Sequence, residues 1–203
     1  MKYSGDYLVK LARKVIEIYL RDGTRMEIPE DAPQDLFDES GAFVTLHSII
    51  GSETANLRGC IGRIESRNST LIQSTIDSAI DAAVHDPRFP PVKETEMRQI
   101  LVEVTILTPP QTLIISNPDE YFHHIEIGRH GLIAQRGFNR GLLLPQVPVE
   151  QKWNIKTYLD YVCMKAGLPA EAWRHLETKI SRFEGIIFTE TTPNGSIEHR
   201  IVQ

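Results

Sequence analysis

The segment NLRGCIGRIES, residues 56–66, combines strand residues with a cation, a thiol and two glycines. Side chains alternate between the faces of a regular strand, so Arg58 and Cys60 are predicted to share one face, about 6–7 Å apart. A guanidinium that close favours the thiolate, which is how reactive cysteines are activated. Gly59 and Gly62 remove side-chain bulk and allow a bulge or the close approach of a ligand or another backbone. The stretch is compatible with a nucleophilic Cys60 assisted by Arg58, and also with a small structural cysteine.

Two proline-rich segments could display further functional side chains. In DPRFPP, residues 86–91, the prolines stiffen the backbone that carries Arg88 and Phe89. Arg88 either grips a ligand or caps the preceding helix, and Phe89 then plugs the core. In LLLPQVPVEQKW, residues 142–153, two prolines bracket Gln146 and predict a rigid loop that displays its amide. The enzyme hypothesis places Arg58, Arg88 and Gln146 around Cys60, where the guanidiniums grip an anionic substrate.

An enzyme built on Cys60 also needs a general base. Glu103 and His130 are the candidates, although nothing in the sequence brings either one within hydrogen-bond reach of the thiol. The seven histidines are scattered without metal-ligand spacing, and the two cysteines lie about a hundred residues apart, so no metal site is predicted. The sequence has no glycine-rich dinucleotide or P-loop motif, and no cofactor is predicted.

Hydrophobic periodicity indicates the elements that must position these residues. Helices are predicted over 6–21, from a Ser69 or Asn68 cap to His85-Asp86-Pro87, and over 155–167; strands over 42–50, 57–65, 101–108 and about 182–191; and a hairpin around the turn 137–139. The basic cluster of Lys10, Arg13 and Lys14 is predicted to form the solvated face of the first helix. Strands joined mostly by hairpins and interleaved with helices predict an α+β fold, with a largely antiparallel sheet flanked by helices.

Composition excludes several classes of protein. The chain has 203 residues, of which 41% are hydrophobic and 24% charged, which is typical of a globular domain. The net charge of −5 and the pI of about 5.8 give no overall attraction to nucleic acid or to an anionic membrane. Two cysteines do not form a disulfide framework. Charged residues interrupt the N-terminal apolar residues, and no apolar run approaches the roughly 20 residues that span a bilayer, so a cytoplasmic location is expected.

Three of these stretches, in this order, resemble the AMMECR domain family. They are LRGCIG at 57–62, DPRFPP at 86–91 and LLLPQVPVEQKW at 142–153, with HGL at 130–132 and EVTILTPP at 103–110 matching in kind. The resemblance implies that residues 1–203 form a single AMMECR-type domain of the α+β class. It also implies a larger and a smaller lobe, with the LRGCIG segment near the interface between them.

The resemblance implies less about activity than about fold. Such domains are often encoded beside, or fused to, a Memo-like domain and a radical S-adenosylmethionine (radical-SAM) protein, which are therefore the expected partners. Our leading hypothesis is a module that binds a small anion, a nucleotide or a partner's segment. In that module Gly59, Gly62, Arg88, Phe89, Glu103, His130 and Gln146 are candidate ligand-binding residues. The alternative is an enzyme with Cys60 as an Arg58-activated nucleophile. Nucleic-acid binding is disfavoured by the acidic pI.

Overall fold

The computed structural model describes residues 4–50, 55–63 and 69–201. Within these residues the helices are α1 (Gly5–Asp22), α2 (Leu71–Val84), α3 (Tyr121–His124), α4 (Gln146–Glu150) and α5 (Ile155–Lys165). The strands are β1 (Ala42–Ser48), β2 (Asn56–Arg63), β3 (Ile100–Leu107), β4 (Gln111–Thr112), β5 (His130–Arg136), β6 (Asn139–Leu143), β7 (Lys179–Glu190) and β8 (Ile197–Ile201). Short 3₁₀ helices occur at Gln34–Phe37, Glu94–Gln99, Pro118–Glu120 and Ala170–Arg174. The predicted α+β fold with an antiparallel sheet is confirmed.

The chain divides into two compact units. The first unit contains the described residues up to Leu107 together with Ile186–Arg200, and the second contains Thr108–Gly185. Strand β7 contributes its N-terminal part to the second unit and its C-terminal part to the first. The expected position of LRGCIG near an interface between lobes stays a prediction.

In the first unit the strand order is β2-β1-β3-β7, so β2 lies at an edge. Helices α1 and α2 supply most of the remaining core, because their apolar residues recur at helical spacing on one side. Helix α1 ends where Gly23 adopts the left-handed conformation (φ 74°) and donates its N–H to the carbonyl of Tyr19 at 2.8 Å.

Arg13 does not lie on a solvated face. It is only 4% exposed, and its Nε and Nη2 donate to the two carboxylate oxygens of Glu190 at 2.5 and 2.6 Å. Lys10 and Lys14 are exposed as predicted. The prediction for Arg13 is wrong because its position borders the apolar stripe of α1, where a buried carboxylate from another element satisfies the guanidinium.

The N-cap of helix α2 lies one residue after Ser69, the nearer of the two predicted caps. The Thr70 hydroxyl accepts the backbone N–H of Gln73 at 3.3 Å, so Thr70 is the N-cap, while Asn68 lies outside the described residues. The helix ends at Val84, with His85 as its C-cap, shortly before Pro87. This is the predicted end, since the residue before a proline resists helical geometry.

In the second unit the strand order is β7-β5-β6, and β4 pairs with β7. The hairpin predicted around residues 137–139 is present, with Gly137 in the left-handed region (φ 59°). Helix α5 packs on the core of this unit, starting at an Asn154 cap and followed by Gly167 with φ 72°. No helix among the described ranges has the length and apolar character needed to cross a membrane.

Candidate functional site

Strand β2 carries Cys60 at the edge of the first unit's sheet, and its register is not regular. Leu46 of β1 pairs with Gly59, but His47 pairs with Leu57, so Arg58 is the extra residue of a β-bulge. A bulge interrupts the alternation of side chains, so the premise that placed Arg58 and Cys60 on one face does not hold across this position.

Arg58 instead forms hydrogen bonds with Pro90 and Glu96, in the segment that follows α2. Its Nε and Nη2 donate to the two carboxylate oxygens of Glu96 at 3.0 and 3.3 Å, and its Nη1 donates to the carbonyl of Pro90 at 2.9 Å. Glu96 also accepts the backbone N–H of Lys93 at 2.8 Å. Burial raises the pKa of Glu96, but the hydrogen bonds from Arg58 and from the Lys93 backbone, together with the charge of Arg58, outweigh it and lower the pKa. The activation of the Cys60 thiol by Arg58 therefore stays a prediction.

The arginine beside Cys60 is Arg88, which acts together with Asp86. Asp86 Oδ2 accepts the Cys60 N–H at 2.9 Å, and Arg88 Nη2 donates to the Cys60 carbonyl at 3.1 Å. The two side chains therefore occupy the backbone groups that an edge strand leaves without a strand partner. We call this arrangement the Asp86–Arg88 clamp.

Asp86 and Arg88 are also hydrogen-bonded to each other. Arg88 donates from Nε to Asp86 Oδ1 at 3.0 Å and from Nη2 to Oδ2 at 2.7 Å, and its backbone N–H reaches Oδ1 at 3.1 Å. The hydrogen bonds from the Arg88 side chain are the largest cause of the depressed pKa of Asp86. Together with the other hydrogen bonds, they hold this pKa well below its usual range, although the Asp86 side chain is buried. Sequence reasoning missed Asp86, which it treated only as part of a helix stop.

The exposed part of the loop consists of Arg88 and its neighbours. The Arg88 side chain is 53% exposed, and its guanidinium interacts with the Cys60 side chain as well as with Asp86. Its Cζ lies 5.5 Å from the centroid of the partly buried Phe89 ring. Pro87, Pro90 and Pro91 are exposed around them. Arg88 is thus exposed and Phe89 partly buried, and the display of both side chains to a ligand stays a prediction.

The Cys60 sulfur belongs to a polar row across the sheet. Thr45 pairs with Cys60 on one side and with Glu103 on the other, and directly opposed residues share a face. The Thr45 hydroxyl donates to Cys60 Sγ at 3.3 Å. Glu103 is 8% exposed, and its Oε2 lies 3.7 Å from Nε2 of His47. Sequence reasoning missed Thr45 and His47, because only the register reveals that they flank the thiol and Glu103.

The two glycines of the motif meet protein atoms. A methyl group at Gly59 would collide with the backbone carbonyl of Ala82 in α2, and one at Gly62 would collide with the Phe43 ring. Of the two alternatives the sequence left open, the close approach at Gly59 is therefore to another backbone.

His130 and Gln146 belong to the second unit. His130 begins β5 and is buried, and Gln146 is the exposed first residue of α4. The rigid loop predicted for Gln146 is thus a short helix with Pro148 inside it. Across the described ranges, no three His, Cys, Asp or Glu side chains form a group that could hold a metal ion.

Comparison with known proteins gives a consistent result. The model of the AMMECR1 family matches residues 9–188. A protein of Methanocaldococcus jannaschii is 48% identical over 193 residues, covering 95% of this chain and 93% of its own. One of Thermococcus onnurineus is 46% identical over 196 residues, covering 97% and 95%. The crystal structure of an uncharacterized protein from Pyrococcus horikoshii superposes with a TM-score of 0.83 at 45% identity over the whole of both chains. The chain therefore belongs to the AMMECR1 family.

Proposed function

We propose that this chain is a recognition module that binds a segment of a partner protein at the DPRFPP loop. The observation that carries the proposal is the Asp86–Arg88 clamp, which fastens the loop to the backbone of Cys60 and leaves the outer edge of the Arg88 guanidinium exposed. A loop that is already ordered loses little conformational entropy when it binds.

The charges of the site favour recognition over thiol activation. Arg58 is paired with Glu96, and Arg88 with Asp86, so each guanidinium already has a carboxylate partner. The exposed part of the Arg88 side chain suits a carbonyl or carboxylate oxygen of a partner, and the prolines and Phe89 beside it offer apolar contact. Arginine is one of the residue types enriched among the side chains that contribute most to binding at protein interfaces.

The partners to test first are those that the family resemblance implies, a Memo-like protein and a radical-SAM protein. In this arrangement the chemistry belongs to the partner, and the chain positions it or its substrate. In a variant of this proposal, the ligand at Arg88 is a free small anion or a nucleotide rather than a segment of a partner protein.

Calorimetric titration against a purified Memo-like or radical-SAM protein from the same organism tests the proposal. We expect saturable binding that weakens about tenfold or more in Arg88→Lys, because lysine keeps the charge but loses the planar donor edge. Arg174→Lys is the matched control, since Arg174 is also exposed and lies 4.4 Å above the Trp173 ring. Binding of neither protein, or equal affinity of the two variants, would reject the module.

A second candidate function follows from the hydrogen bond between Thr45 and Cys60. In that candidate, the Cys60 thiol passes its proton to the Thr45 hydroxyl, whose own proton moves to Glu103. The thiolate then adds to a carbonyl carbon of an anionic substrate, the C=O π pair moves to the carbonyl oxygen, and that oxygen takes up the proton from Glu103. The Cα atoms of Cys60 and Glu103 are two strand spacings apart, roughly 10 Å, so the hydroxyl of Thr45 lies between them. This candidate needs an unusually reactive thiol, which the recognition module does not.

A further inference from the structure

A polar cavity of about 520 Å³ lies in the second unit, which contains neither Cys60 nor the DPRFPP loop. Its volume falls within the range of small-molecule sites. The polar residues that matter are Gln111, His130, Arg182 and Glu184, from strands β4, β5 and β7. His130 was predicted as a candidate residue of the Cys60 site, and no sequence motif links this histidine to the other three residues.

The register of the strands explains why these four side chains meet. Arg182 pairs with Gln111 on one side, and Glu184 pairs with His130 on the other. Residues opposed across strands share a face, and positions 182 and 184 are two apart on β7, so all four project to the same side of the sheet.

Arg182 is a half-buried cation without a carboxylate partner in the described parts of the chain. Its Nη1 donates to the carbonyl of His124 at 2.6 Å, and its Nε and Nη2 donate to Gln111 Oε1 at 3.4 and 3.2 Å. Three of its five N–H groups are thereby engaged and two are available. Because Gln111 uses its oxygen for Arg182, its amide N–H groups are also available to a ligand.

His130 adds a neutral donor. Its Nδ1 accepts the backbone N–H of Glu126 at 2.9 Å, so the neutral ring carries its hydrogen on Nε2, 3.6 Å from Glu184 Oε1. Burial, assisted by the positive charge of Arg182, lowers the pKa of His130 and favours this neutral form. Glu184 is the acceptor of the group and is also paired with Arg129 at 3.1 Å.

We infer that this cavity binds a small carboxylate whose neighbouring carbon carries an amino or hydroxyl group. The carboxylate lies against the available N–H groups of Arg182 and Gln111, which are the donors that favour a planar oxyanion. The amino or hydroxyl group donates to Glu184, and the Nε2–H of His130 completes the polar wall. The inference is independent of the proposed recognition function.

The test uses the full chain and titrates glycine, glycolate, acetate and inorganic phosphate by NMR chemical-shift perturbation. We expect glycine or glycolate to bind saturably, at least about threefold more tightly than acetate, because acetate lacks the donor for Glu184. We expect Arg182→Gln and Gln111→Leu each to weaken binding about tenfold, while Arg174→Gln, which removes an exposed arginine elsewhere in the same unit, leaves it unchanged. Gln111 is exposed, so Gln111→Leu serves where Arg182→Gln fails to fold.

Absence of saturable binding by all four probes would overturn the site. Equal binding of acetate and glycolate, or tighter binding of phosphate than of either carboxylate, would overturn the ligand class. Unchanged affinity in both Arg182→Gln and Gln111→Leu would place the ligand outside the cavity.

Discussion

Asp86 is the residue that organises the candidate site of the first unit. Its two carboxylate oxygens accept hydrogen bonds from the Cys60 N–H and from the backbone and side chain of Arg88. Arg88 then reaches the Cys60 carbonyl, so one residue of the strand is held on both its donor and its acceptor. A charged carboxylate serves this purpose because it accepts several hydrogen bonds at once.

We expect Asp86→Asn to lower the free energy of unfolding by about 1–2 kcal/mol at pH 7, since it removes the charge that Arg88 and the amides stabilise. The folded pKa of Asp86 is depressed, so its stabilisation is present above the unfolded value of about 3.9 and is lost as the pH falls below it. Urea denaturation between pH 3 and pH 7 checks this. A difference between wild type and variant that does not narrow below about pH 4 would contradict it.

Among the elements, α2 and β2 approach each other at Gly59. A side chain at this position would strike the Ala82 carbonyl, which belongs to helix backbone and cannot rotate away. The close contact brings the end of α2, and with it Asp86, against the edge strand.

Gly59→Ala is therefore expected to cost about 1–3 kcal/mol of unfolding free energy, the usual cost of overpacking, and to release Cys60 from the clamp. Denaturant titration gives the energy, and hydrogen exchange of the Cys60 amide reports the clamp. Asn56→Ala, at an exposed position of the same strand, is the control and is expected to change stability by less than about 0.5 kcal/mol. Unchanged protection of the Cys60 amide in Gly59→Ala would contradict this prediction, because the clamp would then not depend on the close contact between α2 and β2.

A buried ion pair ties α1 to the sheet of the first unit. Arg13 donates to both oxygens of Glu190 and to the carbonyl of Ile100, and Glu190 accepts the N–H of Val102. Removing one partner of such a pair leaves a buried charge without compensation.

Glu190→Gln is expected to lower the unfolding free energy by about 3 kcal/mol, within the range measured for broken buried pairs. Lys14→Gln, which changes the charge of the next residue of α1 at an exposed position, is expected to cost less than about 0.5 kcal/mol. Thermal or chemical denaturation of both variants is sufficient. Similar losses in the two variants would show that the pair contributes little beyond surface charge.

At the scale of the molecule, sequence patterns predicted the elements better than their contacts. The amphipathic helices and the alternating strand β3 were found because burial of one face leaves a period in the sequence. Strand β8 was missed, although Pro193-Asn194-Gly195 precedes it and Asn194 adopts φ 57° at the turn. Such an Asn-Gly pair is a strong hairpin signal.

The candidate site was predicted only in part, for a physical reason. The types of Arg58, Cys60 and Arg88 pointed to chemistry, but their partners are separated from them in sequence by 2 to 38 residues. The bulge at Arg58 and the register that joins Thr45 to Cys60 depend on strand pairing, which a single strand does not encode. The sequence thus indicated candidate residues of the site, and the strand pairing determines which side chains contact them.

The reactivity of Cys60 distinguishes the recognition module from a cysteine nucleophile. The rate of alkylation by iodoacetamide at pH 7 can be measured by mass spectrometry in the wild type, Arg58→Gln, Arg88→Gln and Thr45→Val. Cys163 is the internal control, because it is buried and its burial raises the pKa of the thiol to about 11. We predict that Cys60 reacts no more than about tenfold faster than a free thiol, and that none of the three variants slows it by more than about twofold. A Cys60 that reacts a hundredfold faster, and loses that rate in any of the three variants, would contradict the recognition module and establish a nucleophile.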